Sequence, residues 1–95
     1  MAQKKIIWSG SAGRELISIL DFYIQRNGTT IFSEKLLAEI DTIVSFLPEH
    51  PHLGKQTEKE HLRVLIRGMY EIFYRIEPDA IIVVAIWDSR RDPGQ

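Results

Sequence analysis

Residues 62–87 read LRVLIRGMYEIFYRIEPDAIIVVAIW, and this stretch decides the fold. Tyr70 to Glu77 alternates: Tyr70, Ile72, Tyr74 and Ile76 fall on one face, Glu71, Phe73, Arg75 and Glu77 on the other. That two-residue period belongs to a half-buried strand. Gly68-Met69 suits a two-residue hairpin with glycine first, which makes Leu62–Arg67 the antiparallel neighbour. Pro78-Asp79 forms the next turn, because proline presets its backbone angle. Ala80–Trp87 is apolar on both faces and predicts a central strand covered on at least one side. Three strands joined by tight turns make an antiparallel meander.

Before the meander the period changes. Ala12, Leu16, Ile19, Leu20, Tyr23 and Ile24 fall on one helical face, with Ser9 or Ser11 as cap and Asn27-Gly28 as stop. Thr29 or Thr30 then caps a second helix, whose apolar face runs from Phe32 through Leu36, Leu37, Ile40, Ile43 and Val44 to Leu47. Pro48 and Pro51 end it, and residues 48–60, with two prolines, a glycine and five charges, read as one long loop. Lys5–Trp8 is β-branched and aromatic and reads as an opening strand at a sheet edge. The expectation is an α+β fold of order β-α-α-β-β-β, with a helical hairpin buried against one sheet face. The other face is left for solvent, a partner or chemistry. The tail from Asp88 to Gln95 is polar and leaves the sheet.

At 95 residues the chain, 1–95, is expected to be one domain. Twelve basic against thirteen acidic side chains leave a net charge of −1, so no global field draws it to nucleic acid or an anionic membrane. The absence of cysteine excludes disulfides, thiolate metal sites and cysteine nucleophiles. The longest apolar run, Ala80 to Trp87, falls far short of a membrane span, and Ile6-Ile7-Trp8 is too short for a signal peptide's core. A cytoplasmic location, with no membrane partner, is expected.

Every lysine lies at or before Lys59, whereas Arg63, Arg67, Arg75, Arg90 and Arg91 accompany the strands. Arginine's planar fork binds phosphate or carboxylate in a bidentate way. Tyr70, Phe73, Tyr74 and Trp87 add aromatic faces for stacking. Such a sheet can bind RNA or a charged protein surface. The competing reading is an edge-solubilising pattern, since Glu71, Glu77, Asp79, Asp88 and Asp92 nearly balance the arginines. His50, His52 and His61 are the one metal-like arrangement, but a catalytic site needs three fixed ligands, so they read as loop histidines. His61, at the start of a strand, is the better general-base candidate. No phosphate-cradling glycine loop or nucleophile elbow is present, and no metal or cofactor is called for. Tyr23 and Phe32 read as core.

The order of these elements, together with the Leu-Arg opener at Leu62-Arg63, the Tyr70-Glu71-Ile72-Phe73-Tyr74-Arg75 strand and the Asp88-Ser89-Arg90-Arg91 ending, resembles the RelE/ParE superfamily. These are toxins of bacterial type II toxin–antitoxin modules. Pro51-His52-Leu53-Gly54 fits the family's loop, and the resemblance covers nearly the whole chain. It implies a growth-inhibiting toxin of a plasmid-stabilisation kind, neutralised by a cognate antitoxin protein. RelE-like members cleave messenger RNA on the ribosome; ParE-like members share the fold and poison DNA gyrase. If the chain is a nuclease, the resemblance assigns catalysis to Arg63, Glu71, Arg90 and Arg91. Otherwise Arg67, Tyr70, Tyr74, Arg75, Trp87 and Asp88 are the residues expected to bind target or antitoxin. Three departures favour the ParE branch: Glu71 stands where RelE has an arginine, the Leu62–Arg67 strand lacks lysine, and no tyrosine or histidine follows the arginine pair.

Overall fold

The computed structural model describes residues 4–90. Its elements are β1 (Lys5–Trp8), α1 (Gly10–Asn27), α2 (Ile31–Val44), β2 (Lys55–Gln56), β3 (Arg63–Arg67), β4 (Tyr70–Ile76) and β5 (Ala80–Asp88). The strands form one mixed sheet in the order β1-β5-β4-β3-β2. The meander is as expected, with Arg67 opposite Tyr70 across a hairpin whose Gly68 has φ +58°. The opening strand takes the far edge and runs parallel to β5, Lys5 facing Ala80 and Trp8 facing Val83.

Local chemistry sets the helix ends. Ser9 accepts from the Ala12 amide at 3.0 Å, and Gly28, at φ +72°, donates to the Ile24 carbonyl at 2.9 Å. At the second start Thr29, not Thr30, takes an amide, that of Ile31 at 3.0 Å. The buried Ser33 hydroxyl donates to the Leu20 carbonyl at 2.7 Å, tying the two helices together. Ile19 and Tyr23 of α1, and Leu36, Ile40 and Val44 of α2, pack with Ile72, Ile81 and Val83 of the sheet into the core.

Four local expectations need correction. The helix predicted through Leu47 ends at Val44; Leu47 stays fully buried because its amide bonds back three residues to Val44 in a tighter turn. The loop contains β2, whose Lys55 and Gln56 pair with Val64 and Arg63. Two residues carry no readable alternation. His61 lies in the turn before β3 rather than in it, with φ +66°, and the strand begins at Arg63.

The fourth concerns β5. Phe73 faces Ala85 but Tyr74 faces Val83, so Val84 is an extra residue in β5, a bulge. Burial switches there: Ile81 and Val83 point to the helices on one side of the bulge, Ile86 and Asp88 on the other. This switch, as well as coverage, makes the run read as apolar on both faces. The Ile86 amide is taken by the Glu15 carboxylate of α1 at 3.1 Å.

Candidate functional site

Asp88, expected to leave the sheet with the polar tail, instead closes β5 opposite Tyr70 on the helix side, and its side chain is only 1% exposed. Its Oδ1 accepts from the Arg90 amide at 2.9 Å, a local turn of the kind that aspartate favours two residues ahead of its partner. Its Oδ2 accepts from the Tyr23 hydroxyl of α1 at 2.7 Å. Ser89 bonds to the Met69 carbonyl through its amide at 2.9 Å and its hydroxyl at 3.0 Å, holding the chain beside the β3–β4 hairpin. Arg90 is thereby turned back over the end of the helical hairpin.

The Arg90 guanidinium lies 5.0 Å from the centroid of Tyr23, 5.4 Å from Tyr70 and 5.7 Å from Phe32. These are cation–π distances. Nη2 donates to the Tyr70 hydroxyl, and Nε lies 3.5 Å from Asp88 Oδ1. Burial, then the Asp88 hydrogen bond and charge, push the Tyr23 hydroxyl well above the usual tyrosine range. Burial and Asp88 raise Tyr70 as well, against the lowering effect of Arg90. Burial alone would lower Arg90; the two tyrosines and Asp88 outweigh it and raise it. The cluster is thus a fixed, fully protonated guanidinium set between neutral phenols and one carboxylate.

The other end of the same sheet face carries a second arginine–tyrosine pair with a different job. Tyr74, fully buried, donates to the Pro51 carbonyl at 2.7 Å and accepts from the Gly54 amide at 2.8 Å. Arg63 donates through Nε to the Gly54 carbonyl at 2.9 Å, with Nη1 and Nη2 reaching Gln56 Oε1 at 3.3 Å and the His52 carbonyl at 3.4 Å. Gly54 is required by space: a Cβ there would meet the Val64 carbonyl at 2.7 Å and Tyr74 at 2.8 Å. The Pro-His-Leu-Gly motif is therefore a loop anchor. Beside it a recess of about 370 Å³ is lined by His52, Gln56, Glu60, His61, Arg63 and Ile76, and another of about 390 Å³ lies between α2 and Arg67, with Ala38 and Glu39 in its wall. Among the described residues no group of three or more His, Asp or Glu could hold a metal ion.

Three of the proposed catalytic residues can be placed, and they do not converge. Arg63 faces Tyr74, whereas Arg90 covers Tyr70, four residues along β4 and about 13 Å away at strand rise. Glu71, paired with the exposed Ile66 and Trp87, faces away from the helices, on the opposite side of the sheet from both. Arg91 lies outside the described residues.

The expected binding residues divide in the same way. Tyr70 and Asp88 build the Arg90 cluster. Tyr74 cannot touch a partner in this conformation, because its ring and hydroxyl are consumed by the loop. Arg67 pairs with Glu39 of α2 at 3.0 Å, and Arg75 with Glu77 at 3.6 Å, both exposed. Trp87, 43% exposed, stands on the face without helices. Tyr23 and Phe32, expected to be plain core, are the residues the sequence reading missed. Tyr23 is buried but keeps a polar function, and Phe32 is partly exposed beside the cation. A buried tyrosine needs a partner for its hydroxyl, which was the available signal.

The model of the family described as "ParE toxin of type II toxin-antitoxin system, parDE" matches residues 6–93. No curated protein matches the sequence significantly. Among solved structures, a chain of the chromosomal ParDE toxin–antitoxin system of P. aeruginosa superposes with a TM-score of 0.78 at 21% identity, covering 90% of this chain and 96% of that one. A chain of the RelBE2 toxin–antitoxin complex of Mycobacterium tuberculosis superposes with a TM-score of 0.69 at 17% identity, covering 92% of this chain and 99% of that one. Both share its fold.

Proposed function

This chain belongs to the ParE toxin family of type II toxin–antitoxin systems, and from that premise we propose that it arrests growth by binding an essential protein target in the cytoplasm. DNA gyrase is the target by family precedent, and a cognate antitoxin holds the toxin in check. Both solved relatives come from toxin–antitoxin systems, which supports that partner. No helix among the described residues is long and apolar enough to cross a membrane.

The observation that carries this reading over messenger RNA cleavage is the dispersal of Arg63, Glu71 and Arg90. RNA transesterification needs a base, an acid and cations within hydrogen-bond reach of one phosphate. Here one arginine anchors a loop, another lies about 13 Å away, and the carboxylate is on the other sheet face. Such a surface suits recognition better than phosphate chemistry.

Two assays on the purified chain test it. Gyrase supercoiling activity is expected to fall as toxin is added, and a reconstituted translation reaction is expected to leave its message intact. New 5′ ends that need ribosomes would overturn the proposal in favour of a ribosome-dependent endoribonuclease. Unchanged supercoiling at excess toxin would remove gyrase as the target.

A further inference from the structure

The Arg90 guanidinium has donors to spare. Nε is directed at Asp88 and Nη2 at Tyr70, while Nη1 has no hydrogen-bond partner among the described residues. The side chain is 38% exposed, so a partner can reach it. Its surroundings are apolar: Phe32 lies against it and is 36% exposed, and Met69, next to Tyr70 and bonded through its carbonyl to Ser89, is 47% exposed. A preset arginine rimmed by aromatic and aliphatic side chains is the composition of a protein-interface anchor.

The chemistry of the occupant follows from charge. Asp88 already offsets the cation, Glu39 offsets the exposed Arg67, and the donors of Arg63 are taken up by the loop. A polyphosphate backbone gains affinity from several unpaired cations together, and each of the two described arginines at this end of the sheet, Arg90 and Arg67, already has a carboxylate beside it. A single carboxylate on an otherwise apolar helix matches both the free edge and its rim. Because rings and hydrogen bonds already hold the guanidinium, little side-chain freedom is lost on binding.

We propose that the outward edge of Arg90 seats an Asp or Glu side chain of the antitoxin, and that Tyr23, acting through Asp88, is the residue that positions it. The partner's identity rests on the function proposed above; the carboxylate site does not. Tyr23 is a positioning residue, since its hydroxyl is bonded to Asp88 and turned away from the partner.

The site is read directly by following arginine side-chain N–H resonances of the full chain while sodium acetate is added at constant ionic strength. Arg90 is expected to shift saturably, with the exposed Arg14 and Arg26 as references that drift only weakly. Tyr23→Phe should weaken the Arg90 response several-fold, and in Arg90→Lys, which keeps charge without the fork, the saturable shift of the neighbouring Met69 and Ser89 backbone amides should vanish; its persistence there would overturn the site. Equal drift of all three arginines, or tighter binding of inorganic phosphate than of acetate, overturns the site. The partner is tested by calorimetry with the cognate antitoxin. Arg90→Ala should weaken binding by about thirty-fold or more, and Arg90→Lys nearly as much. Unchanged antitoxin affinity in Arg90→Ala overturns the assignment to the antitoxin. Should the chain fail to arrest growth while acetate still seats on Arg90, the functional reading falls and the site stands.

Discussion

Two arginine–tyrosine pairs occupy opposite ends of one sheet face, and they serve different ends. At the Tyr74 end, Arg63 and the phenol bond to carbonyls, an amide and an amide side chain of the chain's own loop. At the Tyr70 end, Arg90 meets three rings, a hydroxyl and a carboxylate, and keeps one edge unused. Residue type does not separate them. What separates them is what consumes the donors: backbone carbonyls fix a loop for good, whereas side chains that crowd a cation can leave part of it for a partner.

The sharpest way to break this contrast is at the loop anchor. Gly54→Ala forces a Cβ into the Val64 carbonyl and Tyr74, and is expected to cost about 3 kcal/mol in urea unfolding. A loss below about 1 kcal/mol would mean that the anchor yields easily. Next comes a matched pair of hydroxyl deletions. Tyr74→Phe strands a buried amide and a partly buried carbonyl and should cost about 2 kcal/mol. Tyr70→Phe frees an arginine that water can reach and should cost under about 1 kcal/mol. Equal costs would erase the distinction between the ends.

A pH experiment probes the Arg90 end alone. Tyr23 and Tyr70 are raised in the folded state, so the folded chain retains protons that the unfolded chain sheds above the ordinary tyrosine value of about 10. Their contribution is fully present below that value and is lost as pH rises through the folded values. Melting temperature should therefore fall above about pH 10, and less steeply in Tyr23→Phe. An identical alkaline slope in the variant would remove Tyr23 from the cluster's electrostatics. The smallest effect is expected from Arg75→Ala, whose exposed pair with Glu77 belongs to neither end: within about 0.5 kcal/mol by the same unfolding assay.

The elements were legible where chemistry is local. Alternation from Tyr70 to Ile76, the Ser9 cap, the Gly28 stop and the Gly68-Met69 turn each follow from a few adjacent residues. The site was legible only in part. Asp88, Tyr70 and Arg90 lie within twenty residues of one another and carry conspicuous chemistry. Tyr23 joins them from 65 positions away, and its helical spacing advertises only burial. Tyr74 misled for the opposite reason: it shares the face and type of Tyr70, and only the folded loop reveals that its hydroxyl is occupied. The short β2 strand left no periodic trace, because it is held by β3 and not by its own sequence.

The single extra residue at Val84 has a reach beyond its own turn of backbone. It acts as a frame shift written into side-chain direction: everything upstream in β5 is unaffected, and everything downstream changes sides. Were the same residues to run as a regular strand with no bulge, the indole of Trp87 would press on the helices and the Asp88 carboxylate would hang over the bare face, out of reach of Tyr23. The cation at position 90 would lose its orientation along with it. The bulge thus chooses which of two neighbouring side chains becomes an internal strut and which is shown to the outside.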